Sequence, residues 1–160
     1  STGHLDTSSD QDFQSLSSKW GQEAVLDYVD AKYAAIDTIE RIDRDYGLDC
    51  DFVRYDGYVY AEPEQDARAM RKEIDACREL HLAYPEAEVP LPFPVELGMK
   101  LPRNARIDPL KYTVNLAKAL AARGVPIHED TRMEEAIDYS GKVLVKTNRG
   151  TITADAAVLM

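Results

Sequence analysis

Apolar residues that recur every three or four positions predict three amphipathic helices in this chain. The predicted helices span residues 21–46, 63–82 and 109–123. Each has a recognisable boundary residue. Gly47 offers a left-handed stop after the first helix, and Pro63 suits the first position of the second helix because its missing N–H costs nothing there. Asp108 is an N-cap before Pro109, and Gly124 closes the third helix.

Strand patterns occupy much of the sequence between and after these helices. The text DFVRYDGYVYAE places β-rich runs on both sides of Asp56-Gly57, a pair suited to a two-residue type I′ turn, and therefore predicts a hairpin. Ser140-Gly141 and residues 148–150 predict further hairpin turns. Other strand candidates lie at 97–101, 105–107, 125–129, 133–139, 142–147, 151–153 and 156–160.

The segment YPEAEVPLPFPVE, residues 84–96, carries four prolines. Because proline cannot donate a backbone hydrogen bond, this segment predicts an extended crossing rather than a helix or a central strand. The order of the elements predicts an α+β fold. We expect a lobe with a long antiparallel or mixed β-sheet covered by helices, followed by a smaller lobe that combines a helix with a β-meander.

Composition narrows the function classes. The 160 residues, 44% hydrophobic and 30% charged, suffice for one domain or for parts of two. A net charge of −10 disfavours nucleic acid and anionic membranes as partners. We expect no membrane span, because no uncharged stretch approaches the ~20 residues required. The first residues lack a signal-peptide pattern, so we expect a cytoplasmic protein.

The cysteines and the ends of the sequence add two further expectations. Cys50 and Cys77 stand alone, without partners at metal-ligand spacing, so no metal site is expected. The last residues, 156–160, carry no charge and are typical of a strand buried on both faces of a parallel sheet. Such a strand needs neighbours on both sides.

Four motifs in the last third of the chain follow one another in a known order. They are Asp108-Pro109, Ala122-Arg123-Gly124, the segment 129–133 (EDTRM) and Thr153-Ala154-Asp155. In this order and setting, residues 104–160 resemble the middle of the FAD-dependent amine and amino-acid oxidoreductases, the superfamily of D-amino-acid oxidase, glycine oxidase and sarcosine oxidase. The opening STGHLDTS and the predicted hairpin match more loosely. The nearest resemblance is to bacterial members that carry a Rieske domain.

This resemblance implies a parent protein that binds FAD and oxidises a small amine or amino acid by hydride transfer to the flavin. Residues 1–104 would form the substrate-binding lobe, with a flavin-side loop at 1–8. Residues 105–160 would form a partial FAD-binding lobe with a helix at 109–123, the β-meander and a returning strand at 156–160. A Rieske 2Fe-2S cluster would lie in a separate domain.

The chain lacks one hallmark of that superfamily. Its eight glycines form neither a GxGxxG nor a GxxxxGK(S/T) motif, so no phosphate-binding turn is present. We therefore expect an internal segment of a longer protein, whose partners include the missing segments of its own parent chain and the small-molecule substrate. The isolated chain should be inactive and unable to hold FAD. The alternative is a non-enzymatic acidic interaction module that uses the 21–46 helix.

The resemblance suggests cofactor-binding residues. Gly3 and His4 would lie beside the isoalloxazine ring, although a histidine in a polar loop is often simply solvated. Met133 occupies a position where the backbone would meet the adenine, and its side chain is free to pack in a strand.

Substrate-binding candidates come from the strands. Tyr58 and Tyr60 are two residues apart and share a face, where they could line an aromatic pocket or belong to a core. Arg106 could bind a substrate carboxylate or lie on the surface. No general base stands out, so the catalytic residues are unknown. That absence is compatible with a reaction in which the cofactor carries the chemistry.

Overall fold

The computed structural model describes residues 2–62 and 64–159. It divides into two compact units, of which the first ends at Ala119 and the second begins at Leu120. The predicted α+β class is confirmed, since the described residues form helices and two antiparallel sheets.

The helices are α1 (Phe13–Trp20), α2 (Gln22–Tyr46), α3 (Glu64–Glu79) and α4 (Pro109–Ala122). Helix α2 ends, as predicted, at Gly47, which adopts a left-handed φ of 60°. Helix α4 begins, as predicted, at Asp108, whose Oδ1 accepts the N–H groups of Leu110 and Lys111. Helix α3 stops before Leu82, and its predicted first residue, Pro63, lies outside the described residues.

Helix α1 is absent from the prediction. Its apolar residues Phe13, Leu16 and Trp20 have helical spacing, but eight residues are too few for a convincing periodic pattern. The helix is fixed by its start. The Asp12 carboxylate accepts the Ser15 N–H at 2.7 Å, and the Glu73 carboxylate of α3 accepts the Phe13 N–H at 2.9 Å.

Three antiparallel strands form the sheet of the first unit. They are β1 (His4–Leu5), β2 (Val53–Ala61) and β3 (Leu97–Arg106), in the order β1-β3-β2. The predicted strands at 97–101 and 105–107 are one strand, interrupted by a bulge. Between its pairs with Tyr55 and Gly57, β3 contains one residue more than β2, and Arg103 there has a φ of 62°.

The hairpin predicted at Asp56-Gly57 is wrong. The pair lies inside β2, and the strand residues on both sides of it pair with β3. A continuous ten-residue partner satisfies the hydrogen bonds of both runs, so no reversal is needed. Asp56 serves the bulge instead, because its carboxylate accepts the Arg103 N–H at 3.4 Å and pairs with Lys100 Nζ at 2.6 Å.

The main core lies where α1, α2 and α3 pack against one face of this sheet. The sheet contributes Ala61, Leu97, Met99 and Leu101, and the helices contribute Phe13, Val25, Val29, Ala67, Ile74 and Cys77. Burial of each large apolar side chain contributes about 1.5–3 kcal/mol. Helix packing against the strands therefore holds the sheet in place.

The proline-rich segment 84–96 contains no helix or named strand, as predicted. Its first part runs along β3, where the Ala87 N–H donates to the Gly98 carbonyl at 2.9 Å. A Cβ at Gly98 would collide with Val89 and with the backbone of Ala87. Glycine at this position lets the segment lie directly on the strand.

The second unit contains the predicted β-meander, β4 (Met133–Tyr139), β5 (Lys142–Thr147) and β6 (Gly150–Ala154), in the order β4-β5-β6. Ser140 and Gly141 form the first turn, with φ angles of 51° and 77°. Asn148 and Arg149 lie between the paired Thr147 and Gly150, which confirms the second turn.

Two predicted strands of this unit are not formed. Residues 125–129 are irregular, and residues 156–159 pair with no strand in the described part of the chain. Met160 lies outside the described residues. A strand requires a neighbour to take its hydrogen bonds, and the pairings of the meander among the described residues are β4 with β5 and β5 with β6. Val158 remains 86% exposed.

Candidate functional site

The opening loop is fixed to β3, although its sequence is typical of a flexible segment. The carbonyl of Gly3 accepts the Ile107 N–H at 2.9 Å, and β1 pairs His4 with Arg106. Gly3 has a φ of 78°, and a Cβ there would collide with the Ile107 carbonyl. Only glycine fits this close approach without strain.

A buried polar contact fixes the far side of the loop. Thr7 is completely buried, and both its N–H and its hydroxyl donate to Asn104 Oδ1, at 3.3 and 3.2 Å. The Tyr84 hydroxyl donates to the Thr7 carbonyl at 3.3 Å, and Lys32 Nζ donates to the Ser8 carbonyl. Buried polar groups are costly unless paired, so these bonds hold the loop in one conformation.

His4 is one of the exposed side chains of this loop. Its Nδ1 lies 2.8 Å from the Tyr55 hydroxyl of β2, and the two rings meet edge to face with centroids 6.0 Å apart. Because β3 lies between β1 and β2, the Tyr55 side chain spans the central strand to reach His4. Burial and the Asp6 carboxylate raise the pKa of Tyr55, while Arg106 lowers it.

Arg106 lies directly opposite His4 in the sheet, so the two side chains share a face. Its guanidinium makes no hydrogen bond or ion pair with any residue that the structure describes. By contrast, Arg54 and Arg103 both pair with Asp37 of α2. An arginine without a partner in an acidic chain is available for an anionic ligand.

Tyr58 and Tyr60 lie on the other face of the sheet. They oppose Lys100 and Gly98, whereas Tyr55 is three residues before Tyr58 and therefore points to the opposite side. Tyr58 is half-buried, and the Tyr60 ring packs against Phe93 with centroids 6.3 Å apart. Phe93 belongs to the segment 86–98, which lines an open cavity of about 860 Å³.

Met133 is the first residue of β4 in the second unit. It opposes Thr147, and 43% of its surface is exposed. The structure therefore brings together Gly3, His4 and Arg106, places Tyr58 and Tyr60 on the opposite face of the same sheet, and places Met133 in the other unit.

Tyr55 belongs to the His4–Arg106 cluster, although sequence reasoning did not select it. The contact joins residues 51 positions apart, through an intervening strand. No local pattern carries such information. A tyrosine in a strand beside two other tyrosines offers no signal that one of them bonds a distant histidine.

Neither cysteine has the properties of a reactive thiol. Burial is the main cause that raises the pKa of Cys50 and of Cys77 to about 12, so neither thiol is a ready nucleophile. Residues 2–62 and 64–159 contain no cluster of His, Cys, Asp or Glu suited to a metal ion. Within the same ranges, every helix is too short or too polar to cross a membrane.

A family model for FAD dependent oxidoreductases matches residues 5–160, almost the whole sequence. The chain belongs to this family. Among curated proteins, it is 27% identical over 105 residues to YhfW of Bacillus subtilis, which is named as a Rieske 2Fe-2S iron–sulfur protein. It is also 34% identical over 62 residues to OrdL of Rhizobium meliloti, which is named as an oxidoreductase. The matches cover 65% and 39% of this chain, and 21% and 14% of those proteins.

Two solved structures share the fold. Glycine oxidase from Geobacillus kaustophilus matches with a TM-score of 0.73 at 18% identity, over 98% of this chain and 42% of that chain. The L-proline dehydrogenase of P. horikoshii matches with a TM-score of 0.58 at 17% identity, over 74% of this chain and 34% of that chain. The chain thus spans less than half the length of each of these four proteins.

The family implies FAD, and the residues present fit only part of it. His4 is an exposed side chain beside the buried Gly3, and Met133 of the second unit is 43% exposed. The sequence contains no GxGxxG turn to hold the diphosphate.

Proposed function

We propose that this chain is part of an FAD-dependent oxidoreductase that acts on the CH–NH group of a small amine or amino acid. The observation that carries the proposal is the family match over residues 5–160, joined to the rigid loop that presents His4 beside Arg106. The two structures with the same fold are named for enzymes of glycine and L-proline, which supports a small amino compound as substrate.

FAD, when bound, would accept a hydride from the amine carbon. The residues of this chain would bind and orient the cofactor and the substrate. Gly3 and His4 would contact the flavin side, and the Met133 backbone would contact the adenine side. Arg106 would bind a substrate carboxylate, because its guanidinium has no described partner and can donate two parallel hydrogen bonds.

Tyr58 and Tyr60 require a different assignment within the same proposal. Because they lie on the face opposite His4, they cannot line one pocket together with Arg106 on a single side of the sheet. Tyr60 packs against Phe93, one of the residues of segment 86–98 that line the open cavity. We assign Tyr60, and Tyr58 on the same face, to the neighbourhood of that cavity as a weaker substrate contact.

The domain proposal follows the family resemblance. Residues 1–104 would form the substrate-binding lobe and residues 105–160 part of the FAD-binding lobe. The remaining parts of the parent would supply the diphosphate site, and the similarity to YhfW supports a separate Rieske 2Fe-2S domain there. We propose a cytoplasmic location.

The test is to purify the longer protein encoded by the gene that contains this sequence, add FAD and record its absorbance. We expect a yellow protein whose flavin band bleaches when small amines or amino acids are added without oxygen. Replacing Arg106 with Lys should weaken binding of carboxylate-bearing substrates more than that of simple amines. A colourless protein that takes up no FAD would contradict the proposal and favour the non-enzymatic module.

A further inference from the structure

We propose that Tyr55 is a positioning residue, whose hydroxyl donates to His4 Nδ1 and so presents the Nε2–H of the imidazole as a fixed donor beside Arg106. The identity of the ligand that accepts from this Nε2–H rests on the proposed function. The hydrogen bond between Tyr55 and His4 rests on the geometry of this chain alone. No feature of the sequence assigns a role to Tyr55.

The backbone around this pair is rigid at both partners. On the His4 side, Gly3 and the buried Thr7 fix the loop immediately before and after β1. On the other side, Tyr55 lies in β2 directly opposite the buried Asn104, the acceptor for Thr7. The same asparagine therefore aligns both residues, and the 2.8 Å contact does not depend on a mobile terminus.

The chemistry gives the bond its direction. A tyrosine hydroxyl is a better donor than a neutral imidazole N–H, and the raised pKa of Tyr55 keeps its proton in place. The Asp6 carboxylate raises the pKa of Tyr55, and its Oδ1 accepts the N–H and the hydroxyl of Ser8. With Nδ1 accepting, the neutral ring must carry its proton on Nε2.

The exposed edge of the imidazole is then a donor, not an acceptor. His4 and Arg106 share a face, so an N–H and a guanidinium point from neighbouring strands. Such a pair fits an electron-rich edge that accepts hydrogen bonds, as the carbonyl or ring-nitrogen edge of a flavin does. Without Tyr55, the ring could turn or exchange its proton between the two nitrogens and lose that match.

The tautomer can be read directly by NMR. The chain has three histidines, His4, His81 and His128, so labelling them with ¹⁵N gives few signals, and His4→Gln assigns the one of interest. At about pH 8.5, above the ordinary imidazole pKa, we expect Nε2 to be protonated and Nδ1 not. In Tyr55→Phe the ring packing remains, but the tautomer equilibrium should shift by roughly 2- to 13-fold, the effect of one ordinary hydrogen bond.

The control is Tyr139→Phe, which removes a hydroxyl from an exposed strand residue in the second unit and should leave the His4 signals unchanged. Wild-type signals that show a proton on Nδ1, or that are identical in Tyr55→Phe, would overturn the proposal. The measurement needs no flavin. A parent that proves flavin-free would therefore refute the proposed function while the tautomer result still decides the role of Tyr55.

Discussion

Asn104 shows how one buried side chain can set the geometry of a whole loop. Its Oδ1 accepts two hydrogen bonds from Thr7, and its Nδ2 occupies the space that a Cβ at Gly57 would need. A larger residue at Gly57 would push Asn104 away from Thr7. The glycine of the predicted turn therefore has a packing role, which explains its place inside a strand.

Glu73 is a second residue whose environment has a measurable consequence. Its half-buried carboxylate accepts the Phe13 N–H at the start of α1 through both oxygens. Burial is the main cause that raises its pKa, and the nearby Asp12 adds to the effect, while the N–H bonds of Phe13 and Gln14 oppose it. Ionisation is thus less favourable in the folded protein than in the unfolded chain.

We predict that the stability difference between wild type and Glu73→Gln depends on pH. The stabilising contribution of a raised pKa is fully present below the unfolded value of about 4.5 and is lost as pH rises through the folded value. In urea unfolding between pH 4 and 7, the unfolding free energy of Glu73→Gln should therefore rise relative to that of the wild type as pH increases. The glutamine keeps one oxygen for the Phe13 N–H.

Glu73→Ala is the matched comparison, because it removes the acceptor as well as the charge. Leaving the Phe13 N–H unsatisfied should cost about 1–3 kcal/mol of unfolding free energy. Parallel pH curves for wild type and Glu73→Gln would contradict the assigned cause of the shift.

Local sequence predicted some secondary-structure elements of this chain correctly and others wrongly. Helix α4 formed as its capping residues predict, because an N-cap acts within a few residues of itself. The Asp56-Gly57 hairpin did not form, because a turn competes with any longer partner strand and β3 was that partner. Turn propensity describes only the residues of the turn, so it cannot predict that a distant strand such as β3 will pair with them.

We predict that Asp108→Ala lowers the unfolding free energy by about 1 kcal/mol, since the N–H groups of Leu110 and Lys111 lose their acceptor. Amide hydrogen exchange should accelerate at those two residues. Asp108→Asn is the control, because asparagine caps a helix about as well. Equal losses in both variants would show that the charge of Asp108, not its capping oxygen, stabilises the chain.

The whole chain combines a well-packed first unit with a second unit whose surface is largely exposed. No residue of the β-meander is buried, and Val125, Ile127 and Leu159 are more than two-fifths exposed. Large exposed apolar side chains mark surfaces that suit a contact. The proposed remainder of the parent would supply that contact.

We predict that the 160-residue chain alone does not bind FAD at micromolar concentrations. Two or three hydrogen bonds from the loop and the Met133 backbone contribute about 1 kcal/mol each, against the ~8 kcal/mol that micromolar affinity requires. The net charge of −10 also repels the diphosphate. Titration followed by flavin fluorescence tests this, with riboflavin as the uncharged control. Saturation at micromolar FAD would show that the chain holds a diphosphate site that its sequence does not reveal.

The sequence by itself determined the features that depend on neighbouring residues. These are the length of α2 up to Gly47, the cap of α4, the turns of the β-meander and the family motifs from Asp108 to Asp155. Capping, turn geometry and amphipathic spacing act over a few neighbouring positions, so they can be predicted from the sequence alone.

Only the tertiary structure decided which distant residues meet. It merged two predicted strands into β3, turned a predicted hairpin into a bulge, and joined His4 to Tyr55 across a strand contributed by residues 97–106. It also separated Tyr58 and Tyr60 from His4, because the face of each side chain depends on the register with β3. Strand register is set by packing against the core and by which neighbouring strand pairs with the backbone. Neither can be predicted from local sequence.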